Sequence, residues 1–299
     1  MQNDKRRASY FTFILLLAIA TLIGSWGSFY FFTQKLERDS SESYNEKQFE
    51  HVQGISRNIN DIFLIIEREL ETVASSAEVR SGNGRDALPI LATSYRKLEN
   101  HVSDIAVIDS QGRFLATHKT GLKRTGISAL NRNSTSETIR TKAPSLAGPF
   151  LTLVQSKAIS LDVPVFRYES VESSESGRTV TGKVFVGTVS CLVEVDKWIE
   201  NYLKPFDAQI NSSTWIINNN SQVVANTNSA LIGEKWLDIE DGSFKDPTPG
   251  IPDRSGDLQF LNTVLGGKSG KFQGKLGSLG TEDQIVAYAP INITNTRWS

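Results

Sequence analysis

Two stretches decide how this chain folds: DIAVIDSQGRFLATH (Asp104–His118) and STWIINNNSQVVANT (Ser213–Thr227). Each is an apolar run, a short polar turn and a second apolar run, the signature of a β-hairpin. Aligned on their turns, VIDSQGRFLATH answers to IINNNSQVVANT. The segments downstream of the two hairpins also correspond: a glycine-containing stretch (HKTGLKRTGI, then NSALIGEKW) and further strand patterns. After the first hairpin these are GPFLTLV (Gly148–Val154), KAISLDVPVF (Lys157–Phe166) and GKVFVGTVSCLVEV (Gly182–Val195). After the second they are GKFQGKL and DQIVAYAPI (Asp283–Ile291). The order reads as two tandem modules of one α+β design, each a central antiparallel sheet with short helices at its flank. RYESVESSESGRTVT, after Phe166, reads as a polar connector, and DKWIENYLKPF (Asp196–Phe206) as a short closing helix. Glu240–Asp257, rich in Pro, Gly and Asp, reads as a loop.

Upstream, Gln34 to about Ala77 reads as one long helix. Phe49, Val52, Ser56, Ile59, Phe63, Ile66, Leu70, Val73 and Ala77 alternate in spacings of three and four, a seam broken by one polar residue. The seam either pairs with a second copy of the chain or packs along the chain's own modules, and different faces can do both. A shorter helix follows from about Leu88 to Asn100. Before all this, Tyr10–Phe32 is uncharged and long enough to span a bilayer, which takes about 20 apolar residues. Lys5, Arg6 and Arg7 precede it, so the N-terminus is expected inside and the rest outside. A cleaved signal peptide would carry an apolar core of only about 7–15 residues ending in small residues, unlike this segment. The expected organisation is residues 1–9 in the cytoplasm, 10–32 as a transmembrane helix, and 33–80 as a long signalling or dimerisation helix. A membrane-distal module over 81–206 and a membrane-proximal module over 207–299 complete it.

Composition narrows the function. Among 299 residues, Lys plus Arg number 32 and Asp plus Glu 33, so no basic excess points to nucleic acid. One cysteine, Cys191, and three dispersed histidines argue against an intrachain disulfide or a metal site. No nucleophile elbow, zinc-protease, Walker or C-x-x-C motif is present. GGKSG (Gly266–Gly270) lacks phosphate-loop spacing and reads as a turn. No catalytic residue and no cofactor is expected.

IAVIDSQGRFLA, GPF followed by KAISLDVPVF, GKVFVGTVSCLVEVDKW, STWIINNNSQVVANTNSALIGEKW and QIVAYAPINITNTRWS, in that order, resemble the double Cache (tandem PAS-like) extracytoplasmic sensor region of bacterial transmembrane receptors. The resemblance covers about Lys35 to Ser299 and rests on the order of common strand and turn signals. It implies the input half of a chemoreceptor, sensor histidine kinase or diguanylate cyclase in the inner membrane. The ligand would be a small molecule held by the distal module, about 85–195, and the long helix would form a homodimer. Any catalytic output would lie beyond Ser299, and the second module looks truncated, since the sequence stops within an expected strand. The amino-acid-binding subset carries a Tyr, an Arg and a Trp-Tyr pair on the helix before the first sheet. Here Tyr95 and Arg96 occur without the Trp-Tyr pair, so that subset's ligand does not carry over. The alternatives are a standalone membrane-anchored binding protein of the envelope or a tethered hydrolase.

Seven residues are candidate ligand contacts. Tyr95 and Arg96 lie on the covering helix, where Arg96 either clamps a carboxylate or faces water. His118 ends a strand beside the glycine-containing segment, as a contact, a pH-sensitive group or a surface residue. Phe150 either walls a pocket or fills the core. By strand alternation Ser160 shares a face with Ala158 and Asp162, and Thr188 with Ser190, offering hydroxyls to one side. Asp162, before Val-Pro, is either a pocket acid or a strand-end residue, the latter favoured, and Cys191, on the opposite face, reads as a small buried hydrophobe.

Overall fold

The computed structural model describes residues 2–152, 156–172, 179–205, 213–240, 243–244, 255–276, 283–293 and 296–298, with side chains from Thr21 onward except at 37, 41, 170–172, 179–180, 239–240, 243–244, 275, 283 and 296–298. Helix α1 runs over Gln2–Ser75. By its contacts the chain divides into two units, Met1–Glu50 and His51–Ser299. In the first unit, the large apolar side chains between Leu22 and Phe32 are 61–81% exposed. Among the described residues no helix is long and apolar enough to cross a membrane. Residues 10–20, the first half of the expected span, lie outside those whose side chains are described.

The second unit is built on the seam. Ser56, Ile59, Phe63, Ile66, Leu70 and Val73 are buried in the chain's own core, so this face packs intramolecularly. Each fully buried Ile, Leu or Phe contributes about 1.5–3 kcal/mol. Ala77, the last seam position, is exposed because α1 stops at Ser75. Ser76 caps the next turn, α2 (Ala77–Arg80), its side chain accepting from the Val79 N–H. Asn83 caps α3 (Gly84–Leu98) in the same way through the Arg85 N–H. The expected helix 88–100 therefore starts four residues earlier, with Pro89 tolerated in its first turns.

The first module is a five-stranded antiparallel sheet in the order β2-β1-β5-β4-β3. Its strands are β1 (Asp104–Asp109), β2 (Phe114–Thr117), β3 (Ser145–Leu151), β4 (Lys157–Glu172) and β5 (Thr179–Glu194), with α4 (Asn133–Thr141) between β2 and β3. At the β1–β2 turn, Asp109 Oδ1 accepts the Gln111 and Arg113 amides, and Gly112 takes φ 78°. That left-handed conformation favours glycine, whereas a Cβ there would crowd only the exposed, movable Leu130 side chain. The expected connector after Phe166 is shorter than its polarity implied. The β4–β5 ladder continues to Glu172↔Thr179, because ladder hydrogen bonds need no apolar side chains. Residues 173–178 are outside the described set. The closing helix is split into α5 (Val195–Trp198) and a π-turn over Ile199–Leu203.

The second hairpin, β6 (Trp215–Ile217) and β7 (Val223–Asn226), repeats the first in detail. Asn218 Oδ1 accepts the Asn220 and Gln222 amides as Asp109 accepts its pair. Ser221 takes φ 60° where Gly112 does. Both ladders slip at the same point, after Val107 and after Ile216. Beyond it the expected second sheet is present as separate two-stranded ladders among the described residues. These are β8 (Ile239–Glu240) with β9 (Ser243–Phe244), β10 (Gly270–Lys275) with β11 (Asp283–Tyr288), and β12 (Ile291–Ile293) with β13 (Thr296–Trp298). Helix α6 (Ser255–Val264) packs Phe260 and Leu261 with Trp236, whose Nε1 donates to Asp257 Oδ1 at 3.0 Å. The expected loop Glu240–Asp257 lies mostly outside the described residues.

The modules are tied by directional bonds. Lys157 Nζ donates to the carbonyls of Ser229 and Ile232 at 2.7 and 2.6 Å. Asn218 Nδ2 donates to the Gly148 carbonyl at 3.2 Å, and α1 is tied to the second module by Ser56 Oγ, which donates to the Pro290 carbonyl at 2.6 Å.

Candidate functional site

The five-stranded sheet has two chemically different faces. Toward α1 it shows Ile105, Val107, Ile159, Leu161, Val163, Val189, Cys191 and Val193, all in the main apolar core. There burial pushes the Cys191 thiol up to about 12, which makes it the inert hydrophobe expected. The opposite face carries Asp104, Ala106 and Ile108 on β1, Thr188 and Ser190 on β5, and Ala158, Ser160 and Asp162 on β4, all buried. Strand period alone divides these sets.

Helix α4 covers that face with hydroxyls. Ser134, Thr135 and Thr138, on one side of the helix, are fully buried. Ser134 Oγ meets Ser160 Oγ, Thr135 Oγ1 donates to Asp162 Oδ1 at 2.9 Å, and Thr138 Oγ1 donates to the Asp162 carbonyl at 3.4 Å. Arg132, at the N-cap of α4, stacks over Phe114 at 4.9 Å and approaches Phe150 at 5.9 Å. It feels both Asp162 and Asp104, which hold up a guanidinium pKa that burial lowers.

Burial raises the pKa of Asp162, against the hydroxyls of Ser134 and Thr135, the Arg132 charge and the nearby Ser190 hydroxyl. Asp104 is raised for the same first reason, opposed by the Lys119 and Ile105 amides that donate to Oδ1 and by His118 and Arg124. The face is not saturated. Asp162 Oδ2, Thr188 Oγ1 and Ser190 Oγ are buried and make no hydrogen bond of good geometry, although the Ser190 hydroxyl is near enough to the Asp162 carboxylate to lower its pKa. Asp162 and Ser190 are cross-strand partners, and Thr188 lies two residues away on β5. Buried polar atoms are nearly always paired, so three adjacent exceptions set this face apart from the rest of the core.

Ser160 shares its buried face with Ala158 and Asp162, and Thr188 its own with Ser190, and the two strands set these residues on the same side of the sheet. Phe150 stands at the margin, through Arg132. His118 and Tyr95 stack with ring centroids 4.1 Å apart, at the Asp104 end of the face. Arg96 stands apart: it is exposed, on the outer side of α3. Asp162 is a correction, since it lies mid-strand and fully buried rather than at a strand end. Arg132, Ser134, Thr135, Thr138 and Asp104 went unnoticed in the sequence. The available signal was the spacing of 134, 135 and 138, which sets three hydroxyls on one side of a helix.

This fold is shared with Cache-type extracellular ligand-binding domains of chemoreceptors and of a histidine kinase. Solved structures share it. The periplasmic sensory domain of the Campylobacter jejuni chemoreceptor Tlp1 matches with TM-score 0.62 and 12% identity, over 86% of this chain and 93% of that one. An extracellular ligand binding receptor from Desulfohalobium retbaense matches with TM-score 0.61 and 15% identity over 84% of this chain, which spans 39% of the receptor's length. The ligand-binding domain of the Pseudomonas fluorescens chemoreceptor CtaA, in complex with L-isoleucine, matches with TM-score 0.58 and 14% identity, over 88% and 92%. No family model and no curated protein matches the sequence.

Proposed function

We propose that the chain is the extracytoplasmic ligand-sensing input region of a membrane-bound signal transducer. It binds a small polar molecule in the first module, residues 81–206, and relays the event through the second module, 207–299, and α1. The observation that carries this reading is the trio of unpartnered buried atoms, Asp162 Oδ2, Thr188 Oγ1 and Ser190 Oγ, beside Arg132. Asp162 Oδ2 accepts a hydrogen bond from the ligand, and the two hydroxyls donate or accept. Tyr95, His118, Phe150 and Ser160 frame the same face. The shared fold with receptor sensor domains supports the sensing role. Nothing among the described residues offers an activated nucleophile, which favours binding over hydrolysis.

The anchor is the segment Tyr10–Phe32, N-terminus inside. The exposed apolar side chains from Leu22 to Phe32 support it, since water does not tolerate so large an apolar band. With the seam buried, a homodimer would use the outward side of α1, where Leu64 and Ile65 are exposed. Reading the gene beyond the Ser299 codon separates a transducer from a standalone anchored binding protein. An apolar stretch of about 20 residues there supports the transducer.

The direct test screens amino acids, organic acids and amines by thermal shift on the full chain in detergent. A ligand at 100 times its Kd stabilises by about 2.7 kcal/mol. The shift is expected to vanish in Arg132→Ala and Ser190→Val and to survive in Arg96→Ala. A ligand whose shift persists in Arg132→Ala and Ser190→Val refutes the placement.

A further inference from the structure

Beside α4, along Asn133, Glu137 and Thr141, lies a cavity of about 570 Å3. That volume lies in the range of small-molecule sites, about 300–1,000 Å3. Asn131 and Asn133 form one wall, and the β6–β7 turn with Asn219 and Asn220 forms the other. The floor is β3 and the residues before it, including Pro144, Pro149 and Phe150. The cleft thus lies where the two modules meet.

Its chemistry is narrow. Asn218 and Gln222 are spent on structure, on the Gly148 and Gly233 carbonyls and on each other, and they hold the far wall rigid. Asn131, Asn133, Asn219 and Asn220 are exposed, and among the described residues their side chains have no protein partner. Glu137 is the one ionisable side chain in the lining, and it pairs with Arg140 of its own helix. A charged ligand would exchange its hydration for neutral dipoles and for a carboxylate already paired with Arg140, and an apolar one would strip water from four free carboxamides. A carboxamide presents a donor and an acceptor together, which matches a hydroxyl that both donates and accepts. Pro144, Pro149 and Phe150 add apolar surface for the C–H face of a ring.

We propose that this inter-module cleft binds a neutral polyhydroxylated ligand of mono- to disaccharide size. Strand addition by a peptide at the β3 edge is disfavoured. Pro149 has no N–H, the ladder slips between Ala147 and Phe150, and Asn218 already occupies the Gly148 carbonyl.

The test is saturation-transfer NMR on the full chain in lipid nanodiscs, with maltose and N-acetylglucosamine as probes. Glucuronate and an alanine pentapeptide are the controls. One or both neutral sugars should show ring-proton contacts at or below about 10 mM, a weak but specific range. Binding should weaken about tenfold or more in Asn133→Ala/Asn219→Ala/Asn220→Ala, whose sites are exposed. If that variant does not fold, Asn131→Trp, which fills the cleft from an exposed position, must abolish the contacts. No contact from either sugar, undiminished binding in the variant, or equal binding of glucuronate or the peptide overturns the proposal.

Discussion

Replacing Thr188 by valine separates a binding site from a structural polar cluster. Thr188 is fully buried on β5, opposite Ile108 on one side and Pro164 on the other. Its Oγ1 has no partner. Valine keeps the β-branch and shape and exchanges the hydroxyl for a methyl. An unpaired buried hydroxyl costs about 1–3 kcal/mol, so Thr188→Val stabilises the unliganded protein by about 1–2 kcal/mol. For a domain of this size that raises Tm by about 2–4 °C per kcal/mol. The same change removes a hydrogen bond from the liganded state, worth about 1 kcal/mol or about fivefold in affinity. Tryptophan fluorescence melts of the full chain in detergent, with and without ligand, measure both. The expected result is a higher apo Tm with a weaker ligand. A lower apo Tm would mean that the hydroxyl is satisfied within the fold, and the reasoning from unpaired atoms would fail.

Further outcomes are expected. Asp162 has a raised folded pKa, so its stabilising contribution is complete below the unfolded value of about 3.9 and is lost as pH rises through the folded value. The stability difference between wild type and Asp162→Asn should therefore move in the variant's favour from pH 4 toward neutrality, as read from melts across that window; a pH-independent difference refutes the assignment. Ser221→Gly relieves a left-handed residue and should add about 1 kcal/mol, whereas Gly112→Ala at the equivalent turn should cost at least that, both by chemical denaturation. Equal effects at the two turns would contradict their equivalence. Lys157→Met removes both bonds to the Ser229 and Ile232 carbonyls, and amide exchange should rise in the second module around residues 229–235 while β1 and β5 stay protected.

The features legible in the sequence were those written in local chemistry. The two hairpins were legible because their turns need an Asx side chain and a left-handed residue, and such residues are few. The α1 seam was legible as apolar spacing, but spacing does not say what covers it, and the partner was the chain's own sheet. The α4 site was hidden because pattern reading looks for apolar stripes, and the buried side of NRNSTSETIRT is Ser134, Thr135 and Thr138. Asp162 was misread because Pro164 comes two residues later. The proline is tolerated in mid-strand because β3 pairs β4 only from Lys157 to Asp162, so its missing N–H falls beyond the end of the neighbouring strand. That a ladder persists through polar residues to Glu172 was invisible for a related reason: backbone pairing leaves no compositional mark.

The unlike faces of the sheet make its two helices unequal in what they lose when they move. Pulling α1 away would wet Ile59, Phe63, Ile66 and Leu70, and that penalty grows with every ångström of oil exposed. Lifting α4 trades a few hydroxyl contacts, to Ser160 and Asp162, for the same contacts with water. One side of the sheet therefore behaves as a permanent weld and the other as a fastener. The ligand proposed above, bringing a handful of hydrogen bonds, would be matched in strength to the fastener and would leave the weld intact.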